Sequence, residues 1–131
     1  MNAQDLLAKA IRAAASAKVL LDLGDADGAC NRAYYAMYDA ARAALLASGV
    51  PVKSEIARTH NGLISAFSLH LVKTGRVSVE LGKAFNRAEE LRLMADYKGD
   101  LVEKEDAAWA VAQAQTFVRA MQTLFFMPKA P

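Results

Sequence analysis

A chain of 131 residues matches the size of one domain built on one core. Its 16 basic and 14 acidic residues nearly cancel to +2, so no overall field marks a nucleic-acid binder, and any such contact must come from a local patch. A single cysteine, Cys30, excludes an intrachain disulfide and a metal site built on paired thiolates, while three prolines and seven glycines are few for a β-rich or disordered chain.

The first twelve residues carry Asp5 and no apolar run, which is unlike a signal peptide. No stretch of about 18 uninterrupted apolar residues occurs, so no membrane-spanning segment is expected, and a reducing cytoplasm is the expected compartment.

Five helices are expected in chain order. The first runs from about Ala3 to Leu23, with Leu6, Leu7, Ala10, Ala14, Ala17, Leu20 and Leu21 at helical spacing, and Gly24 stops it. Asp25 then caps a second helix, about Ala26 to Ser48, ended by Gly49 and Pro51. That helix is apolar almost all round, which places it centrally. Cys30 within it reads as a small packed hydrophobe. A polar linker, Val50 to Arg58, leads to Thr59, the expected cap of a third helix from about His60 to Lys73 with a stripe of Leu63, Ile64, Phe67, His70 and Leu71. His70, on that stripe, reads as structural. Ser78 caps the fourth helix, about Val79 to Tyr97, and Gly99 terminates it. The fifth runs from near Glu103 to about Phe126, its acidic start suiting the helix dipole. Trp109, Ala112, Phe117, Met121 and Leu124 are its expected core stripe, and Pro128 closes the chain. Short connections favour antiparallel neighbours, so the expected fold is all-α, an up-and-down bundle of four to five helices forming one domain.

The fourth helix carries an anomaly. Leu81, Phe85, Ala88 and Ala95 share one apolar face, and Arg92 falls in the middle of it. A charge there is costly unless paired or placed beside water. Glu89 and Asp96, three residues before and four after, are both within reach. Two readings stay open: a partly buried ion pair that fixes helix register, or an anion-binding or catalytic arginine in a cleft, whose planar fork suits phosphate. Tyr97, beside Asp96, either closes the core with its hydroxyl wet or stacks on a base. On the second helix Tyr34, Tyr38 and Leu45 share a face, with Asn31 and Arg42 on its edge, and Arg32 and Asp39 lie together on another side. Tyr34, Tyr35 and Tyr38 are core-type residues, yet three phenols in five residues need hydroxyl partners, for which Arg92 and Asp96 are candidates. His60 follows its cap at a helix start, either as a surface residue or at an anion site. Arg92 and Asp96 are thus the candidate catalytic pair, with Tyr97, His60, Tyr34, Tyr38, Asn31 and Arg42 as candidate binding residues. Glycine-rich phosphate loops, helical histidine pairs and Gly-x-Ser-x-Gly elbows are absent, and no metal or cofactor is expected.

Three stretches carry a resemblance. Asn31 to Leu46 (NRAYYAMYDAARAALL), Arg58-Thr59-His60-Asn61-Gly62-Leu63-Ile64 and Arg92-Leu93-Met94-Ala95-Asp96-Tyr97 resemble, in order and spacing, segments of small stand-alone prokaryotic proteins of the HEPN domain family. The first motif is fairly specific, and the other two gain weight only alongside it. The resemblance implies four long antiparallel helices plus a shorter one, often as a two-fold homodimer. It implies further that the chain is related to metal-independent RNases, many of them toxins of toxin–antitoxin or other defence systems, frequently paired with a minimal nucleotidyltransferase encoded next door. In those RNases an Arg-x(4–6)-His motif from each protomer meets at the dimer cleft. Here Arg92 matches the arginine, but no histidine follows at that spacing, and Asp96 and Tyr97 stand there instead. His60 can supply the imidazole if the start of the third helix reaches the Arg92 cleft. Three functions follow: a nucleotide- or RNA-phosphate-binding partner of a nucleotidyltransferase, an active metal-independent endoribonuclease toxin, or a non-catalytic homodimeric bundle. None of them involves a membrane.

Overall fold

The computed structural model describes residues 1–51, 58–97 and 102–127, and every regular element among them is helical. Helix α1 spans Ala3–Asp22, α2 Ala26–Ser48, α3 His60–Phe67 with a wider π-helical turn over Ser68–Val72, α4 Val79–Tyr97 and α5 Lys104–Phe125. The expected helix ends hold because their causes are local. Asp25 accepts from the Gly28 N–H at 2.9 Å and Thr59 from the Gly62 N–H at 2.9 Å, each satisfying a free donor of a first turn. The Ser78 hydroxyl accepts from Leu81 at 3.3 Å. Gly49 ends α2 in the left-handed region, at φ 73°, where a side chain would be strained. The linker over 52–57, Gly99 and Pro128 lie outside the described residues.

The result is an all-α up-and-down bundle with α2 at its centre, packed against α1, α4 and α5. α1 and α2 make the most extensive helix–helix packing among the described residues, and both bury alanine-rich faces: Ala10, Ala13, Ala14 and Ala17 on α1, and Ala33, Ala36, Ala40 and Ala44 among those on α2. Side chains this small let two helix backbones approach closely. Farther along, Phe67, Phe85 and Phe117 from α3, α4 and α5 meet with ring centroids 5.4–5.7 Å apart and tie those three helices together. The amide of Val102 donates to Asp27 at 3.1 Å, which fastens the entry of α5 to the start of α2.

The expected stripe of α5 needs correction. Phe117 and Met121 are buried as expected, but Trp109 is only half-buried, Ala112 is exposed and Leu124 is 51% exposed. The buried face runs instead through Ala107, Ala110, Val111, Ala114, Phe117, Val118 and Met121. In an alanine-rich helix the bulky residues do not fix the rotational phase, because alanines on the tightly packed side carry as much of the interface.

Candidate functional site

The site grows from three neighbouring helices. Turning α2 by its own periodicity presents Asn31, Tyr34, Tyr35 and Tyr38 toward the end of α4 and the start of α3. Arg92, on α4, lies where the apolar periodicity put it and is only 6% exposed. Its guanidinium carbon stands 4.9 Å from the ring centroid of Tyr34, 5.8 Å from Tyr35 and 5.8 Å from Tyr97, so three π-faces surround the charge. The ion pair with Asp96 is long, at 3.4 Å, and Asp96 also accepts from the Asn31 amide at 3.2 Å. The buried Nε–H of Arg92 finds no acceptor among the described residues. A buried guanidinium normally spends its donors, so this one is an unspent, directed donor beside a loosely held second one.

Of the two acids within reach of Arg92, Asp96 takes it and Glu89 does not. Glu89 accepts instead from the Tyr34 hydroxyl, at 3.4 Å. The same phenol lies 2.7 Å from His60 Nδ1. The sequence suggested Arg92 and Asp96 as partners for the tyrosine hydroxyls. Arg92 meets the ring of Tyr34 rather than its oxygen, and the phenol's partners are His60 and Glu89. His60 therefore does reach the Arg92 neighbourhood, by way of Tyr34. Its imidazole stacks on the Tyr34 ring at 5.6 Å and 17°, and lies 4.7 Å from the Tyr38 ring. Tyr34 is itself stacked on Phe85 at 6.0 Å, which links the site to the aromatic core.

The electrostatics follow from burial and from Arg92. Burial and the charge of Arg92 lower the pKa of His60 from 6.5, Glu89 opposing them, so the imidazole is neutral at pH 7. Burial and Glu89 push the Tyr34 phenol well above its usual range, which keeps it protonated. It has one proton to give. When that proton goes to Glu89, His60 Nδ1–H donates to the phenol oxygen and Nε2 carries the lone pair, which makes the imidazole an oriented base. Because the folded chain resists protonating His60, this group's share of stability is fully present above pH 6.5 and is lost as pH falls through the lowered value. In an NMR titration, His60 should titrate below 6.5 in the wild type and shift upward in Arg92→Met. An unchanged midpoint would show that the two charges do not sense each other.

The remaining candidates divide. Tyr97 is 73% exposed, so it does not close the core; its ring forms the wet rim over Arg92. Arg42 lies over the Tyr38 ring at 5.9 Å and lines a neighbouring cavity with Lys9, Arg32, Tyr35, Tyr38 and Asp39. Cys30 is buried, and burial together with Asp27 and Asp106 pushes its thiol up to about 11, which leaves it inert. His70 is half-buried on α3's π-helical turn. Sequence reasoning missed the roles of Glu89, Tyr35 and Lys9. The spacing of Glu89 pointed to Arg92, Tyr35 read as core, and nothing on α1 marked Lys9. Among the described residues no three His, Cys, Asp or Glu side chains converge to hold a metal ion, and no helix is long and apolar enough to cross a membrane.

Comparison with known proteins finds relatives that span most of the chain. A protein of Gloeobacter violaceus named as a UPF0332 protein is 37% identical over 124 residues, covering 92% of this chain and 94% of its own. A UPF0332 protein of Thermotoga maritima is 40% identical over 111 residues, 82% of this chain and 79% of its own. A Methanocaldococcus jannaschii protein that bears the name "Putative toxin MJ0605" is 32% identical over 103 residues, 79% of this chain and 73% of its own. The HEPN domain model matches residues 3–124, nearly the whole bundle, and the chain belongs to the HEPN domain family.

Proposed function

We propose that this HEPN protein binds RNA phosphate at the Arg92–Tyr34–His60 cluster and works in a toxin–antitoxin-like system, with a minimal nucleotidyltransferase as its partner and a second copy of the chain completing the cleft. The observation that carries the phosphate reading is the buried Nε–H of Arg92 without an acceptor among the described residues. A phosphate oxygen pair can take Nε–H and a terminal N–H together, the arrangement for which arginine is suited. Asp96, held at 3.4 Å and partly exposed, is the group an incoming anion displaces. The exposed Tyr97 ring then offers a stacking surface to an unpaired base. The toxin context is supported by the name of the Methanocaldococcus relative, and the nucleotidyltransferase and the dimer rest on the family alone.

A second reading, metal-independent RNA cleavage, is favoured by the placement of His60. A neutral imidazole held by Tyr34 and Glu89 can take the proton of a ribose 2′-hydroxyl as that oxygen attacks the adjacent phosphorus. Arg92 would stabilise the charge that builds on the phosphoryl oxygens. The P–O5′ bond breaks as the 2′-oxygen bonds to phosphorus, and the leaving 5′-oxygen takes its proton from water, giving a 2′,3′-cyclic phosphate and a free 5′-hydroxyl.

One pair of measurements tests both. Binding of labelled single-stranded RNA should weaken at least about tenfold in Arg92→Ala, with the log–log salt slope reduced by about one. Equal binding by the two proteins would sink the phosphate reading. Incubation of RNA with wild type and His60→Ala in excess chelator tests cleavage; RNA left intact by the wild type leaves binding alone. The gene adjacent to this one is the direct check of the nucleotidyltransferase partner.

A further inference from the structure

Beside the Arg92 cluster lies a cavity of about 290 Å³ lined by Lys9, Arg32, Tyr35, Tyr38, Asp39 and Arg42. Asp39 is the unusual member. It is only 4% exposed, yet among the described residues no hydrogen bond or ion pair within 4 Å reaches its carboxylate. Burial pushes its pKa up, while Lys9, Arg42 and Arg32 act in the opposite sense from farther off. The carboxylate is thus an unused pair of acceptors in a wall that also carries three cations. Arg32 lies over the Tyr35 ring at 5.9 Å and Arg42 over the Tyr38 ring at 5.9 Å, so the floor between acid and cations is aromatic. Tyr35 and Tyr38 are shared with the Arg92 cluster, where they face Arg92 and His60.

A ligand that fits needs two adjacent N–H donors for Asp39, a flat face for the tyrosines and a negative charge for the cations. Among the RNA bases only guanine places two donors, N1–H and the N2 amino group, side by side on its pairing edge. Adenine and cytosine set one donor beside an acceptor, and uracil flanks its single donor with two carbonyls that a carboxylate repels. The geometry points to a guanine-binding subsite, with the carboxylate of Asp39 accepting from N1–H and N2–H, the base against Tyr35 or Tyr38, and its nucleotide's phosphate on Lys9, Arg32 and Arg42. It rests on the phosphate reading in one respect: a guanosine seated here would deliver a neighbouring phosphate of the same RNA strand toward Arg92.

The test is titration of the full chain with the 5′-monophosphates of guanosine, adenosine, cytidine and uridine, for wild type, Asp39→Asn and Arg92→Ala. The guanosine nucleotide should bind about 10- to 100-fold tighter than the others, the range of one good bidentate base contact. Asp39→Asn, which replaces one acceptor by a donor, should bring all four to the same weak affinity. It should fold at least as well as wild type. With a raised carboxyl pKa, the stability tied to protonated Asp39 is present at low pH and is lost as pH rises through that value, so removing the charge helps at neutrality. Equal binding of the four nucleotides by wild type, an intact guanine preference in Asp39→Asn, or no guanosine monophosphate binding at millimolar concentration each overturns the subsite. The two readings fail separately. Guanine preference together with RNA affinity unaltered by Arg92→Ala would leave the base pocket and remove the phosphate site. Equal nucleotide binding with RNA affinity lost in Arg92→Ala would do the reverse.

Discussion

Arg92→Met should melt at or above the wild-type temperature while losing most of its affinity for RNA. Three aromatic rings face the guanidinium, but its hydrogen bonds and ion pairs within the protein are poor. Its one ion pair is 3.4 Å long and its buried Nε–H has no acceptor among the described residues. Desolvating such a charge costs several kcal/mol, and replacing weakly compensated buried ions with apolar groups of similar volume is commonly neutral or stabilising by about 1–4 kcal/mol. Methionine keeps an unbranched apolar stem among the aromatic rings, but it ends short of the guanidinium carbon and gives up both the charge and the N–H donors. Asp96 is partly exposed and keeps its Asn31 contact, so it is not stranded. Thermal melting and RNA binding of the same preparation decide the matter. A clear drop in melting temperature with RNA binding intact would mean that the arginine is there to hold the helices, and the site would lose its centre.

Phe85→Ala should cost about 3–5 kcal/mol, the range for deleting a fully buried aromatic ring. Phe85 is 1% exposed and touches Phe67 and Phe117 on the core side and Tyr34 on the site side. Two loosely related losses therefore come from one change. The junction of α3, α4 and α5 loses its common ring, and Tyr34 loses one of the two rings stacked on it. Against a typical total stability of about 5–15 kcal/mol, the fall in the urea midpoint should be on the order of 2 M. RNA binding measured well below that midpoint should also weaken, because His60 and Arg92 are both arranged around the Tyr34 ring. A midpoint shift below about 0.5 M would show that the core refills the space and that the ring is not the joint described.

What the sequence revealed, and what it hid, divides along the range of the forces involved. Asp25, Gly49, Thr59 and Ser78 marked helix ends correctly because caps act within three or four residues. Arg92 stood out because a lone charge on an apolar stripe is a local contradiction that needs no knowledge of neighbours. Its partner was not readable. Glu89 and Asp96 satisfy helical spacing equally, and the choice is made by other helices, where Tyr34 engages Glu89 and Asn31 engages Asp96. The arrival of His60 beside Tyr34 is likewise a matter of how α3 crosses α2, which no periodicity encodes. Asp39 showed the same limit. Its place next to Arg32 on the helical wheel was visible, but the cover supplied by α1, and Lys9 with it, was not. On α5 the large side chains suggested one face and the alanines occupied another, since close packing rewards what is small as much as what is greasy.

The alanine seam between α1 and α2 has a mechanical meaning for everything in front of it. Two rods pressed together along methyl groups have almost no slack, so the tyrosine-bearing rod cannot recoil when something lands on it. His60, Asp96 and Tyr97 sit instead at the opening turn of α3 and the closing turn of α4, away from that seam. The back of the molecule is thus an anvil, and the proposed site lies over it at two helix tips.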